Sequence, residues 1–319
     1  MSKTLFIIFY FTCLSLLAAE NPALLLVGNK AEDTLSFIDL ATSKEVAKTT
    51  TGRGPHEVTV TPNGKKAFVS NYEGAGDTIS VIDVPSRKEK SRIQLGDNRA
   101  PHGLEISRDG SRLYATCEKT ESVVEIDVGT EKVLRSFKTG QKGSHMLVLS
   151  HDGKKIYTAN MGSGTSTVLD VASGMVISQI GTGARCEGID ITPDGRQVWT
   201  TNDEADSLSV INTTTDQVMA NITSKGFPIR VKFTPDGKRA LVACAHSNEL
   251  ALYDVALRKE LKRVSTGHFP VGILIEPAGQ RAFVAFTGDS TIALYNLATL
   301  AIIENIPAGK QADAMAFVF

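Results

Sequence analysis

The chain has 319 residues, and its 34 Lys and Arg side chains almost balance 35 Asp and Glu side chains, giving a formal net charge of −1. No basic run is present that would neutralise a row of phosphates, so we expect no nucleic-acid partner. Hydrophobic residues make up 42% of the chain and recur in short runs along it, which favours a globular protein over a disordered one.

The first 20 residues differ from the rest. Lys3 precedes an apolar stretch over residues 5–17, and Ala18 and Ala19 follow before Glu20. This order is typical of a secretory signal peptide, and its apolar part is short for a membrane span. We predict cleavage after Ala19, which leaves residues 20–319 as one periplasmic or secreted domain without a membrane span. We expect this mature protein to be a monomer.

Removal of the signal peptide leaves three cysteines, Cys117, Cys186 and Cys244. An odd number in an oxidising compartment does not indicate a disulfide framework. We therefore expect these residues to be small buried hydrophobic side chains on strands.

A turn motif that ends in glycine recurs along the chain. Its glycines, spaced 42 to 46 residues apart, are Gly64, Gly110, Gly153, Gly195, Gly237 and Gly279. Each lies between two apolar segments, such as residues 188–191 and 197–200, and this arrangement predicts a β-hairpin. Glycine after Asp or Asn supplies the positive φ that tight turns need.

Two further strands follow each hairpin. A third segment ends in an acid or amide, as at residues 124–127, and a fourth follows, as at residues 133–137. Four strands per repeat predict a propeller blade. The acids that end the third segment should cap the next turn, and they are Asp39, Asp83, Asp127 and Asp170.

The two ends of the chain complete one blade between them. Residues 314–318 match a first strand, and the three remaining strands of that blade are matched by residues 24–27, 35–39 and 45–48. Such a shared blade closes the ring and leaves no open edge. The sequence therefore predicts an all-β, seven-bladed β-propeller with four antiparallel strands in each blade.

Several second strands end in a tetrapeptide close to Tyr-Val-Thr-Asn. The examples are Phe-Val-Ser-Asn at 68–71, Tyr-Thr-Ala-Asn at 157–160 and Trp-Thr-Thr-Asn at 199–202. With the Pro-Asp-Gly turns, the repeat resembles the YVTN-type family of exported bacterial propellers, which includes YncE-like and lactonase-like members. The resemblance covers residues 21–319 and implies the fold, but the functions of this family vary, so it implies little chemistry.

One position of the repeat carries most of the candidate site. The residues eight places before the hairpin glycines, together with their counterpart at the C-terminal end, are His56, His102, His145, Glu187, Ile229, Val271 and Asp313. In a propeller this position lies at the entry to the innermost strand, near the mouth of the central channel. Three of the six histidines therefore occupy consecutive blades at one phase, and the next blade supplies a carboxylate.

Two explanations of the histidines are open. In the first, His56, His102 and His145 bind zinc, copper or iron, and Glu187 either binds the metal or acts as general base on a bound water. Cys186 is a further candidate metal ligand. In the second, duplicated blades have inherited a histidine that fills a similar pocket and bonds to backbone.

Four more residues are candidates for ligand binding. Arg230 follows the histidine phase, where it could bind an anionic ligand or form an ion pair with Asp190 or Glu187. Asp313 shares the histidine phase itself. The other two candidates lie in loops at the same face, where exposed loop histidines are the simpler explanation, and they are His246 and His268.

The sequence lacks several enzyme signatures. It contains no Cys-x-x-Cys-His, no Gly-x-Ser-x-Gly, no phosphate loop and no Gly-x-Gly-x-x-Gly after a strand. Our leading hypothesis is an exported propeller that binds a protein or small-molecule partner on its loop face, with a metal helping to order the channel mouth. The alternatives are a metal-dependent enzyme, either a lactonase-type hydrolase or an oxidoreductase, and an envelope scaffold that docks larger complexes.

Overall fold

A computed structural model describes residues 23–74 and 77–319. These residues form 28 strands, numbered β1 to β28 in chain order, and two short 3₁₀ helices, Lys30–Glu32 and Glu118–Thr120. Neither of these helices is long or apolar enough to cross a membrane. The predicted signal peptide, residues 1–19, lies outside the described residues.

The strands fall into four classes by their distance from the central channel. The innermost strands are β4 Pro55–Val60, β8 Pro101–Ile106, β12 Ser144–Leu149, β16 Cys186–Ile191, β20 Pro228–Phe233, β24 Pro270–Ile275 and β28 Ala312–Val318. The second strands are β1 Leu24–Asn29, β5 Lys66–Asn71, β9 Arg112–Cys117, β13 Lys155–Asn160, β17 Gln197–Asn202, β21 Arg239–Cys244 and β25 Arg281–Phe286.

The third and outer strands complete each blade. The third strands are β2 Thr34–Asp39, β6 Thr78–Asp83, β10 Ser122–Asp127, β14 Thr165–Asp170, β18 Ser207–Asn212, β22 Glu249–Asp254 and β26 Thr291–Asn296. The outer strands are β3 Lys44–Thr50, β7 Lys88–Gln94, β11 Lys132–Lys138, β15 Val176–Gly181, β19 Gln217–Thr223, β23 Lys259–Ser265 and β27 Ala301–Pro307.

The strands pair into seven antiparallel sheets, which confirms the predicted seven-bladed propeller. Blade 1 has the strand order β28-β1-β2-β3, and blades 2 to 7 follow along the chain. In blade 1, Leu26 of β1 is paired with Ala316 of β28, so the two ends of the chain close the ring as predicted.

The predicted turn chemistry is also present. Each hairpin glycine has positive φ, for example 69° at Gly153 and 72° at Gly195. At the end of β2, the Asp39 carboxylate accepts hydrogen bonds from the N–H groups of Ala41 and Thr42. These contacts fix where each strand begins and ends, and so they set the register of the blades.

The core lies between the blades. Residues of the second and third strands are buried on both faces because each blade packs against a neighbour on either side. The largest fully buried side chains include Trp199 and Tyr157. Among the described residues, the three cysteines are buried and free, in agreement with the sequence.

Candidate ligand site at the channel mouth

Each histidine of the site lies at an irregular point of an innermost strand. The pairing register shifts between Pro55 and Val58 in β4 and between Pro101 and Leu104 in β8. These β-bulges leave backbone groups outside the ladder, and hydroxyls of the second strands bind them. Ser70 Oγ, for example, accepts from the N–H of residue 57 at 2.9 Å and donates to the His102 carbonyl at 2.7 Å.

The three imidazole rings form a stack at the channel mouth. The ring centroids of His56 and His102 are 4.1 Å apart, and those of His102 and His145 are 3.5 Å apart. The Tyr72 ring packs edge-on against His56 and His102, at 4.9 Å and 5.4 Å. The prediction that the shared repeat phase brings these three histidines together agrees with this geometry.

A carboxylate orients the ring of His145. Its Nδ1 lies 3.0 Å from Glu118 Oε2, which also accepts a hydrogen bond from the Tyr72 hydroxyl at 3.1 Å. A carboxylate can only accept, so Nδ1 carries the proton and Nε2 of the neutral ring is an acceptor. Burial lowers the pKa of His145 despite Glu118, which favours this neutral form.

A second carboxylate lies at the other end of the stack. His56 Nδ1 lies 3.5 Å from Asp313 Oδ2, and Lys30 Nζ lies 2.9 Å from the same oxygen. Burial by itself would raise the pKa of Asp313, but Lys30, His56 and Arg230 outweigh it and lower that pKa. Asp313 is therefore ionised and faces His56, but His56 Nδ1 makes no hydrogen bond, unlike Nδ1 of His145.

The pKa of Glu187 is shifted in the opposite direction from the pKa of Asp313. Burial, followed by the nearby carboxylate of Asp203, raises the pKa of Glu187 well above its usual value. Glu187 Oε1 lies 3.9 Å from His145 Nε2, and Arg185 lies 3.6 Å from Glu187 and 3.3 Å from Asp203. The shift favours the neutral form of Glu187, which faces the His145 ring.

Arg230 closes the channel below the stack. Its guanidinium lies 2.7 Å from Glu57 and 3.8 Å from Asp313, so it pairs with neither Asp190 nor Glu187, the partners considered from the sequence. Strands β4 and β20, which carry Glu57 and Arg230, lie on nearly opposite sides of the ring. The ion pair therefore spans the channel and forms the floor of the site.

The residues above this floor enclose a cavity of about 260 Å³. One wall is polar and carries the histidine stack, Tyr72 and the charged groups described above. The opposite wall is apolar and consists of Phe227, Ile229, Phe269 and Val271, which belong to blades 6 and 7. A ligand with one polar and one apolar side would match both walls.

Several buried polar atoms of the site have no hydrogen-bond partner. They include both ring nitrogens of His102, a residue that is 1% exposed, and one oxygen each of Glu187 and Asp313. Burial, followed by repulsion from His145 and His56, lowers the pKa of His102 well below its usual value, so the ring is neutral. Buried polar atoms without partners are uncommon and often mark functional sites.

The remaining predicted residues lie outside the polar wall. Cys186 packs in the core beside Val198 and Ile211, and burial raises the pKa of its thiol to about 11, which does not favour a metal-binding thiolate. His246 stacks on Phe227 with ring centroids 3.7 Å apart. His268 lies next to Phe269, with centroids 6.4 Å apart. Neither of these two histidines lines the cavity.

The sequence reasoning missed a second set of residues around the site. Lys30, Tyr72, Glu118 and Asp203 each follow the last residue of a second strand, and Arg185 precedes an innermost strand. The repeat did contain a signal for these residues, because the position that follows the Asn or Cys at the end of a second strand is equivalent in every blade. That phase carries a different residue type in each blade, so no pattern of composition marked it.

Within residues 23–74 and 77–319, no group of three or more His, Cys, Asp or Glu side chains is placed to hold a metal ion. The ring planes are tilted by 43° between His56 and His102 and by 33° between His102 and His145. Binding of one metal by these three rings would therefore require a rearrangement of the site.

Fold and site together define a seven-bladed β-propeller with a polar, histidine-lined cavity at the mouth of its channel. The family model described as YNCE-like beta-propeller matches residues 99–281, which is more than half of the chain. The chain belongs to this family. A comparison with curated proteins found no match.

Solved structures share the fold at low sequence identity. A chain of Kuenenia stuttgartiensis hydrazine synthase is 22% identical, with a TM-score of 0.77 over 86% of this chain and 92% of that one. A functionally unknown protein from Desulfotomaculum acetoxidans is 12% identical, with a TM-score of 0.80 over 92% and 98%. Dihydro-heme d1 dehydrogenase NirN, solved in complex with DHE, is 13% identical, with a TM-score of 0.70 over 94% and 76%. These similarities show the fold alone.

Proposed function

We propose that the protein is an exported binding propeller that holds a small molecule in the histidine-lined cavity. The observation that carries this proposal is His102, whose buried ring has two nitrogens without hydrogen-bond partners. An unpaired buried polar group costs about 1–3 kcal/mol, so a ligand that bonds to this ring would recover stability on binding. The free oxygens of Glu187 and Asp313 add further polar contacts at the same wall.

The two walls define the class of ligand. Its polar side would contact the histidine stack, where His145 presents an Nε2 acceptor. Its apolar side would contact Phe227 and Phe269. The volume of about 260 Å³ is slightly below the usual range for ligand pockets, which indicates a small molecule or one end of a larger one.

The test compares what the protein retains when it is purified from the exported fraction. Native mass spectrometry of the wild type should show a bound small molecule that is reduced or lost in His102→Ala. The matched control is His151→Ala, since His151 lies in a hairpin turn at the opposite face. Equal retention by wild type and His102→Ala would overturn the proposed site, and so would the absence of any retained or recoverable ligand in the wild type.

One observation favours a second candidate, a metal-dependent enzyme. Carboxylates lie at Nδ1 of both His56 and His145, and metal-binding histidines usually donate their second ring N–H to such a group. In this candidate zinc, copper or iron would bind at Nε2 after rotation of a ring. Burial raises the pKa of Glu187, and this favours its neutral form, which suits a general acid better than the general base predicted from the sequence.

Elemental analysis tests this second candidate directly. Untagged wild type is compared with the His56→Ala/His102→Ala/His145→Ala variant after exposure to zinc, copper and iron. Near-stoichiometric metal in the wild type alone would support it, and the next step would be to screen lactones and redox substrates with Glu187→Gln as control. A metal content equally low in both proteins would reject the metal.

A further inference from the structure

The loops that enter the innermost strands share a backbone feature. The last loop residue has positive φ in every blade, for example 57° at Arg185 and 66° at Phe227. In four blades its N–H donates to an Asp or Asn side chain that directly precedes the neighbouring third strand. The four pairs are Gly54 with Asp33 at 2.8 Å, Ala100 with Asp77 at 3.0 Å, Phe227 with Asp206 at 2.9 Å and Phe269 with Asn248 at 2.8 Å.

Blade 4 lacks this cap. The residue before its third strand is Gly164, with φ of 62°, and it has no side chain to reach the Arg185 N–H. Among the described residues, that N–H has no acceptor. The N–H of Gly143, one blade earlier, has no described acceptor either, because the corresponding Glu121 makes no such bond.

Three N–H groups are therefore uncapped, and two of them, those of Gly143 and Arg185, lie in one groove, whereas the third, that of Gln311 in blade 1, lies outside it. The groove has a volume of about 800 Å³ and crosses the loops of blades 4 and 5, where Gly162, Gly164, Gly181 and Gly183 expose the backbone. It shares Glu118, Met161 and Arg185 with the histidine-lined cavity, so the two are continuous.

The junction of groove and cavity holds unpaired buried atoms of its own. Asp203 Oδ1 has no partner, and Asp203 Oδ2 and Glu187 Oε2 meet the Arg185 guanidinium at 3.3 Å and 3.6 Å without forming a hydrogen bond. Asp203 is 1% exposed. The missing cap and the unpaired polar side chains therefore occur at the same corner of the molecule.

The charges at this corner select the type of acceptor. Glu118 and Glu204 line the groove, and its one basic residue, Arg185, is already paired with Glu204, Asp203 and Glu187, so a carboxylate on the ligand would meet like charges. A neutral carbonyl oxygen avoids this repulsion, and the neutral amide of Asn248 makes the equivalent bond in another blade.

We infer that the groove binds an amide carbonyl of a peptide-like ligand, with the oxygen on the Arg185 N–H, while the other end of the ligand enters the histidine-lined cavity. This inference rests on the proposed function and names the class of its ligand. The polar tip would then meet His102 and Glu187, and the chain would lie along the glycine-lined backbone.

The test follows the backbone amide of Arg185 by NMR. Titration of ¹⁵N-labelled protein with N-acetylglycine N-methylamide should shift the Arg185 cross-peak saturably, whereas acetate should not. Before titration, the Arg185 N–H should exchange with solvent roughly fivefold faster than the capped N–H groups of Gly54 and Phe227, which is the factor equivalent to one hydrogen bond of about 1 kcal/mol.

Gly164→Asp should supply the missing cap and abolish the titration shift. Gly164→Ala is the matched control, because a Cβ at this position approaches the Gly183 carbonyl to 2.7 Å in both variants and only Asp can also cap. An Arg185 peak that the amide leaves unmoved, or that acetate moves equally, would overturn the inference. The proposal for the histidine-lined cavity is tested independently, by the loss of the retained ligand in His102→Ala.

Discussion

Replacement of His102 by phenylalanine should stabilise the protein while it removes ligand binding. The His102 ring is buried, neutral and unpaired at both nitrogens, so folding desolvates two polar groups without compensation. Phenylalanine also has a planar aromatic ring, which is larger and lacks these groups. It can keep the stacking contacts with His56 and His145.

The expected magnitude follows from three effects. Removing two unpaired nitrogens should recover about 1–3 kcal/mol each. The larger ring costs about 1–3 kcal/mol where packing is tight, although the adjacent cavity gives it room. The net gain should be about 1–3 kcal/mol, or roughly 1–2 °C in Tm for each kcal/mol in a protein of this size.

Urea unfolding and thermal unfolding of the ligand-free proteins measure this change. His102→Ala provides the comparison, because it also removes the nitrogens but loses the ring contacts and enlarges the cavity. We expect His102→Phe above wild type and His102→Ala at or below it. If His102→Phe is less stable than wild type by 1 kcal/mol or more, the nitrogens of His102 are satisfied in the folded protein and the argument for a ligand at this ring fails.

Three further predictions concern the rest of the molecule. Burial lowers the pKa of His102 and His145, so as the pH falls the unfolded chain binds protons before the folded protein does. The free energy of unfolding should therefore fall as the pH drops below about 6.5. Urea midpoints measured on either side of that pH test this, and His102→Phe should show a smaller fall. Asp216 accepts hydrogen bonds from Lys155 at 2.7 Å and Tyr157 at 2.6 Å between blades 4 and 5, so Asp216→Ala should cost about 1–3 kcal/mol in thermal unfolding, and an added Tyr157→Phe should recover part of it. Deletion of residues 312–319 removes β28 and should abolish the folded state by circular dichroism, whereas a stable truncated protein would contradict ring closure.

The fold could be predicted because the repeat displays its own register. Turn glycines mark the hairpins, alternation marks the strands, and the matching of residues 314–318 to a first strand reveals the closure. Each of these signals is local in sequence and repeats in every blade, so an error in one blade is corrected by the others.

The site was predictable only where it follows one repeat phase. His56, His102 and His145 meet because equal positions in neighbouring blades lie side by side. The sequence could not show that Glu57 and Arg230 pair, because a repeat alignment reports neighbouring blades and this ion pair crosses the ring. It also could not show that the pKa of Glu187 is raised, since that shift depends on burial and on Asp203.

The ion pair across the channel changes how the ring can behave as a whole. Beneath it lies a second chamber of about 360 Å³, which opens towards the hairpin turns and contains Glu105 and Lys232. The Glu57–Arg230 pair lies between this chamber and the histidine-lined cavity at the loop face. Because this ion pair joins two blades on nearly opposite sides of the ring, it should also oppose distortion of the ring. The channel therefore contains two cavities, one at the loop face and one at the hairpin face, with Arg230 lining both.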